Sequence, residues 1–191
     1  RRADRHRQLR RRYASHVDGT TLTLPALTAV DQLDILGDAL TQVELPALTM
    51  CTQLLRIRGD ALTTVDLSAL QTADLLLFSG AGLPSIALPA LRDVGILSLG
   101  LGMTTTTLSA PQLTTARSVF LFGLSQLSSL DLSSLQVVGT LNVGDTQLTS
   151  LALPQLTNAN TMTVTGNGLL DNCAPLLVVA GAVPVGRRAR A

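Results

Sequence analysis

The sequence predicts an all-β fold, namely a parallel β-solenoid of about seven coils with two short strands per coil. A related sequence motif recurs every 21 or 22 residues. A fixed period of this size is typical of solenoids, in which stacked units build one continuous core. Apolar and polar residues alternate in short runs within each unit, as in strands with one buried face. Turn-forming proline and glycine residues separate these runs and leave no room for a long helix.

The first strand of each unit is predicted from an alternating apolar pair. The first members of the pairs are Leu22, Val43, Val65, Ile86, Leu108, Leu130 and Leu151. A leucine follows in every unit, three residues after the second member of the pair. This leucine column comprises Leu27, Leu48, Leu70, Leu91, Leu113, Leu135 and Leu156. Because the column has no exception, we expect it at the centre of the core.

A small-residue column and a second apolar pair complete each unit. The small residues are Val30, Cys51, Ala73, Val94, Ala116, Val138 and Ala159. The second pairs, which predict the second strand, are Leu33/Ile35, Leu55/Ile57, Leu76/Phe78, Leu97/Leu99, Val119/Leu121, Leu141/Val143 and Met162/Val164. The closing positions are Leu40, Leu62, Leu83, Thr105, Leu127, Leu148 and Leu169. Only Thr105 breaks the apolar rule, and Cys51 is interpreted as a buried space-filling side chain.

The motif L-x-L-P-x-L followed by L-x-I-x-G-D-x-L resembles leucine-rich repeats, and more closely the bacterial repeats that are similar to receptor L domains. The resemblance covers about residues 20 to 170. It implies a scaffold that binds ligands through outward positions, which differ from one member to the next. The asparagine column of typical leucine-rich repeats is absent except for Asn167, which favours a straighter solenoid over a horseshoe.

Charge divides the chain into a basic N-terminal arm or cap (1–18), the repeat solenoid (19–170), and a C-terminal cap with a basic tail (171–191). All 14 basic residues are arginine, and between His16 and Gly186 four of them face twelve acidic residues, a balance of 4 − 12 = −8. An arginine-rich arm can bind nucleic acid or an anionic surface, but no recognition fold accompanies it, so this role is not expected. The apolar stretch 175–185 is shorter than the roughly 20 residues of a membrane helix, so no membrane span is expected.

Groups for catalysis or metal binding are scarce in this sequence. Both histidines lie in the arm, and neither Cys51 nor Cys173 belongs to a C-x-x-C motif or has a histidine nearby. We therefore expect no enzymatic activity, no cofactor and no metal site. A polysaccharide-active enzyme is an alternative, because parallel β-helices host such enzymes. Threonine columns suggest an ice-binding alternative, but hydroxyl bonds to the backbone explain threonines at turns better.

The candidate ligand site is a pair of aromatic residues in VFLFG, residues 119–123. Its valine and leucine form an inward pair, so the alternation of a strand places Phe120 and Phe122 outward, near Leu77 on another coil. We expect Phe122 between Gly100 and Gly144. There the ring could bind a ligand or shield the glycines, or a terminal segment could lie across the two rings.

These features together predict a non-enzymatic repeat scaffold that recognises a protein or a glycan at the cell surface or outside the cell. The alternative is a structural or self-assembling solenoid, in which the basic tails of one copy meet the acidic body of another. On the second strand, Asp34 beside Arg56 predicts an exposed charge pair between neighbouring coils.

Overall fold

The computed structural model shows the predicted all-β parallel solenoid and describes residues 12–16, 19–80, 82–100 and 102–167. These residues contain no helix. In chain order the strands are β1 (Arg12–His16), β2 (Thr21–Thr23), β3 (Ala29–Leu36), β4 (Gln42–Glu44), β5 (Met50–Arg58), β6 (Thr64–Asp66), β7 (Thr72–Ser79), β8 (Ser85–Ala87), β9 (Asp93–Leu99), β10 (Thr107–Ser109), β11 (Thr115–Phe122), β12 (Ser129–Asp131), β13 (Val137–Gly144) and β14 (Asn158–Thr165).

Eight of these strands form one parallel sheet, here called the long sheet, in the order β1, β3, β5, β7, β9, β11, β13 and β14. The short strands form two three-stranded sheets, one of β2, β4 and β6 and one of β8, β10 and β12. Strand β1 lies within the predicted N-terminal arm and pairs with β3 in parallel. The predicted C-terminal cap, 171–191, lies outside the described residues.

The second strand of each coil is longer than predicted. These second strands have seven to nine residues each, and they are β3, β5, β7, β9, β11, β13 and β14. The small-residue column belongs to this same strand. In most coils the small residue and the first member of the inward pair are three residues apart, so that the buried positions of β3 are Val30, Leu33 and Ile35. In β5 they are four apart, because an extra residue between Cys51 and Leu54 shifts the register against β3 and β7. This spacing interrupts the period of two, and the sequence pattern therefore shows only the second half of the strand.

The solenoid completes about six turns, whereas the sequence predicts about seven. The seventh unit supplies β14 to the long sheet, but its residues 151–153 form no short strand. The corner before them takes a different path: Asp145 has a positive φ of 51°, and the Gln147 N–H donates to the Leu127 carbonyl at 2.9 Å.

Asn167 stabilises this last corner. Its side-chain oxygen accepts hydrogen bonds from the Thr146 N–H at 3.0 Å and from the Thr146 hydroxyl at 2.6 Å. Its amide nitrogen donates to the Val143 carbonyl at 3.0 Å. Asn167 therefore links two coils at this corner, because both its oxygen and its nitrogen form hydrogen bonds to the preceding coil.

A proline divides the short ladder into its two sheets, which the sequence predicts as one continuous ladder. In other coils the residue at this position donates its N–H to the coil before it, as Thr41 does to Thr20 and Thr106 does to Pro84, each at 2.8 Å. Pro84 has no N–H and cannot make the equivalent bond to Thr63. The missing donor lies between β6 and β8, where the two sheets separate.

The predicted columns form the core. Leu70 and Leu91 of the leucine column are both 0% exposed, while Leu27, at the N-terminal end of the column, is partly buried. Cys51 is a free, buried cysteine, as its interpretation as a space-filling side chain requires. Its thiol lies 3.5 Å from the Asp31 carbonyl, and burial raises the pKa of the thiol.

Thr105 replaces leucine in the closing column, and a hydrogen bond satisfies its buried hydroxyl. The side chain is 0% exposed, and the hydroxyl donates to the Leu83 carbonyl at 2.7 Å. We expect Thr105→Val, which keeps the side-chain shape and removes the donor, to lower the free energy of unfolding by about 1 kcal/mol. Urea denaturation followed by circular dichroism measures this difference.

Thr106→Val is the matched control for this prediction. The Thr106 hydroxyl makes the same kind of bond, to the Pro84 carbonyl at 3.1 Å, but on the exposed side of the backbone. Water can replace a donor there, so we expect a smaller loss than for the buried position. Equal losses from the two variants would contradict the role assigned to the buried hydroxyl.

Candidate functional site

The outer face of the long sheet carries three rows of side chains that run along the solenoid axis. They alternate with the buried residues of the strands and lie about 4.8 Å apart from coil to coil. Row 1 contains Gln32, Leu54, Leu75, Ile96, Ser118, Thr140 and Thr161. Row 2 contains Asp34, Arg56, Leu77, Ser98, Phe120, Asn142 and Thr163. Row 3 contains Leu36, Arg58, Ser79, Gly100, Phe122, Gly144 and Thr165.

The three residues predicted as a ligand site lie on this face. Leu77 and Phe120 belong to row 2, two coils apart, with Ser98 between them. Phe122 belongs to row 3 and follows Phe120 on β11. Leu77 and Phe120 are partly buried, whereas Phe122 is 43% exposed. Phe122 is therefore the most accessible of the three side chains.

The Phe122 ring packs on Gly144. A Cβ atom added to Gly144 would lie 2.6 Å from Cδ2 and 2.7 Å from Cε2 of the ring, so the ring occupies the space of a side chain. A Cβ atom added to Gly100 would instead meet Ser79 at 3.2 Å and Phe78 at 3.3 Å. The ring thus shields one of the two flanking glycines, while Phe122 itself remains 43% exposed. Phe122 lies between Gly100 and Gly144 in row 3, as expected, and its ring contacts Gly144.

Sequence reasoning missed the apolar part of row 1. Leu54, Leu75 and Ile96 occupy neighbouring strands and are all partly buried on the outer face. The signal was an apolar residue directly before each inward pair, but the irregular spacing between the small-residue column and that pair conceals which way it points. We call the combined apolar surface the outer patch. Its members are Leu54, Leu75, Leu77, Ile96, Phe120 and Phe122.

Polar and charged groups border the outer patch in row 2. Arg56 and Asp34 form the predicted charge pair, with Nη1 and Oδ2 3.2 Å apart. The Arg56 side chain is 42% exposed, so the pair contributes little to stability. Within the described part of the chain, the Asp34 Oδ1 and Asn142 Oδ1 atoms are buried without a hydrogen-bond partner. These two atoms lie on opposite sides of the patch along the solenoid axis.

The described residues offer few groups for catalysis. Among them, no cluster of three or more His, Cys, Asp or Glu side chains is positioned to hold a metal ion. A shallow, open depression of about 540 Å³ is lined by Arg92, Pro111, Gln112, Thr114 and Ser134. Its Thr114 hydroxyl donates to the Arg92 carbonyl at 3.0 Å. The five lining residues include no general acid or base of the usual kinds.

The threonine columns donate their hydroxyl groups to the backbone. In one column, the hydroxyls of Thr41 and Thr63 donate to carbonyls one coil earlier, at 2.9 and 3.0 Å. In the other column, Thr49 and Thr157 do the same, at 2.9 and 3.1 Å. These hydrogen bonds tie successive coils together at the corners, as local side-chain to backbone bonds do in turns.

Comparisons with protein-family models, with curated proteins and with solved structures found no match to this chain. A helix long and apolar enough to cross a membrane does not occur in the described ranges. The architecture itself is a parallel β-solenoid with a spacing of about 22 residues. The role of the molecule therefore has to be argued from the chemistry of its outer face.

Proposed function

We propose that this protein is a non-enzymatic binding module and that its outer patch recognises another protein. The observation that carries the proposal is the outer patch itself. Six apolar side chains from four neighbouring strands share one face of the long sheet. Phe122 is 43% exposed and the other five are only partly buried, and a contiguous group of incompletely buried apolar side chains indicates a surface that binds a partner.

The composition of the outer patch favours a protein partner over a glycan. Four of its members are aliphatic and two are phenylalanine, and none of them can form a hydrogen bond. A glycan would bury hydroxyl groups against this surface without hydrogen-bond partners, which costs free energy. A protein interface instead combines an apolar centre with a polar rim, and Gln32, Asp34, Ser118 and Asn142 supply such a rim.

The repeat scaffold supports the same role. Buried columns are committed to packing between coils, so the outward rows are free to carry recognition residues. The resemblance to leucine-rich repeats and receptor L domains implies the same arrangement, in which buried residues pack the coils and outward residues bind the ligand. As part of the proposal we place the protein at the cell surface or outside the cell, where scaffolds of that kind meet their partners.

A photo-crosslinking experiment tests this proposal. A photoreactive phenylalanine analogue is placed at position 122 in one version of the protein and at position 87 in another. Ala87 is exposed on a short strand and lies outside the long sheet, so it reports random collisions. We expect a discrete crosslinked protein from position 122 only. Equal labelling from both positions, or none from position 122, would overturn the proposal.

The double variant Phe120→Ser with Phe122→Ser should separate binding from folding. Both side chains lie on the outer face and Phe122 is 43% exposed, so we expect the free energy of unfolding to fall by less than about 2 kcal/mol. Partner capture should be abolished, because these rings are the largest apolar groups of the patch. Chemical denaturation and the crosslinking yield from a probe at position 77 measure the two effects.

Val137→Ser is the matched control for the double variant. Val137 is 41% exposed and begins β13 in the same sheet, but it lies outside the outer patch. We expect this change to leave both stability and partner capture nearly unaltered. If it reduced capture as strongly as the double variant, recognition would not be confined to the patch.

A further inference from the structure

We propose that the partner of the outer patch is a second copy of this chain, docked face to face about a two-fold axis that runs parallel to the strands between β7 and β9. This inference rests on the proposed function, since it uses the same patch as the recognition surface. The register of the three outer rows supports this pairing. A two-fold interface is self-complementary, so each position must suit the position that the axis brings opposite it.

A two-fold axis through the centre of the outer patch passes between β7 and β9. The apolar residues of the patch lie on β5, β7, β9 and β11, and this group is centred between β7 and β9. An axis at that point exchanges β7 with β9, β5 with β11 and β3 with β13, so the patch of one copy faces the patch of the other.

In row 1, aliphatic side chains of the two copies face each other at the centre of the interface. Leu75 on β7 and Ile96 on β9 are neighbours in row 1, and the axis places Leu75 of each copy over Ile96 of the other. Two sheets that pack face to face lie about 10 Å apart, which leaves room for one layer of interdigitated side chains from each copy. These four side chains form the apolar centre of the interface.

Rows 2 and 3 bring arginine over phenylalanine. Arg58 on β5 and Phe122 on β11 both belong to row 3, so the exchange of β5 with β11 sets the Arg58 guanidinium above the Phe122 ring. Phe122 is 43% exposed, so part of its ring is open to a cation from the second copy. Arg58 is exposed and forms no ion pair with any described residue. In row 2 the same exchange pairs Arg56 with Phe120.

The size of the surface predicts a weak dimer. Six strands at about 4.8 Å spacing and five residues at about 3.3 Å rise cover about 500 Å² per copy, or about 1,000 Å² in total. Stable interfaces usually bury about 1,200 to 2,000 Å². We therefore expect dissociation in the micromolar range, about 1 to 100 μM.

A charge-swap series in the full chain tests the register of this dimer. Arg58→Glu places a carboxylate over the Phe122 ring, and Phe122→Arg places one guanidinium against another. We expect each single variant to raise the dissociation constant at least about tenfold, because the two-fold axis produces the Arg58–Phe122 contact twice and each substitution removes both copies of it. The combined variant Arg58→Glu with Phe122→Arg restores an attractive pair across the axis, and its dimer should recover. Sedimentation equilibrium over a concentration series measures each constant.

Arg92→Glu is the matched control, because it makes the same charge reversal at an exposed corner away from the outer rows. Its dissociation constant should stay within about twofold of that of the unchanged protein. Two results would overturn the face-to-face dimer: a monomer at all concentrations, or a combined variant that dimerises no better than the single variants. A third result would also overturn it: a dimer that dissociates in high salt and whose dissociation constant is unchanged by the substitutions at positions 58 and 122. That result would favour contacts between the basic tails of one copy and the acidic body of another.

The outcomes keep this inference separate from the proposed function. If the protein is monomeric but a probe at position 122 still captures a different protein, the second-copy partner is rejected and protein recognition by the patch stands. If the protein is monomeric and Phe122→Ser costs as much stability as a buried position, the chain itself covers the patch. Both proposals would then fail.

Discussion

Replacing Leu91 with alanine should lower the free energy of unfolding by about 2 to 5 kcal/mol, one of the two largest effects we expect in this fold. Leu91 is 0% exposed and lies in the leucine column between Leu70 and Leu113, which are also 0% exposed. Rigid coils above and below prevent the site from collapsing, so the change loses burial and leaves a cavity. Equilibrium denaturation in urea, followed by circular dichroism, measures the loss.

Two controls define what the Leu91 result means. Ala87→Ser changes an exposed residue on β8, shortly before Leu91 in the chain, and should be nearly neutral. Leu27→Ala makes the same chemical change at the N-terminal end of the column, where the side chain is only partly buried, and should cost less than Leu91→Ala. If all three variants lost the same stability, burial in the column would not be what stabilises the solenoid.

The sequence could predict the core because the core is periodic. Each coil repeats the same apolar positions, so one consistent alignment places Leu70, Leu91 and Cys51 in buried columns without knowledge of any contact. What the alignment could not show is where one coil departs from the others. Pro84 ends a ladder because it lacks one N–H group, and Asp145 turns the last corner through a positive φ. Such effects depend on single hydrogen bonds, which a hydrophobic pattern does not record.

The candidate site was predictable in part for the same reason. Once Leu121 is assigned to the core, the alternation of a strand forces Phe120 and Phe122 outward, and both do lie on the outer face. Leu75 and Ile96 lie directly before the second inward pair and two residues after the small-residue column, so alternation from the first half of the strand gives the wrong face. The contact of the Phe122 ring with Gly144 depends on a side-chain rotation, about which sequence spacing carries no information.

Gly80→Ala should lower the free energy of unfolding by about 3 kcal/mol or more, because it adds both backbone strain and a steric clash. A second glycine, Gly102, allows the two contributions to be measured separately. Gly80 follows β7 with a φ of +105°, which disfavours any residue with a Cβ atom, and an added Cβ atom would lie 2.5 Å from the Gly59 carbonyl oxygen. Gly102 also has a positive φ, of +80°, but nothing lies within 4 Å of an added Cβ atom. Gly102→Ala should therefore cost only the backbone strain, about 1 to 2 kcal/mol. Urea denaturation of both variants measures the difference, and equal losses would show that the close approach of the coils at Gly59 and Gly80 has no energetic consequence.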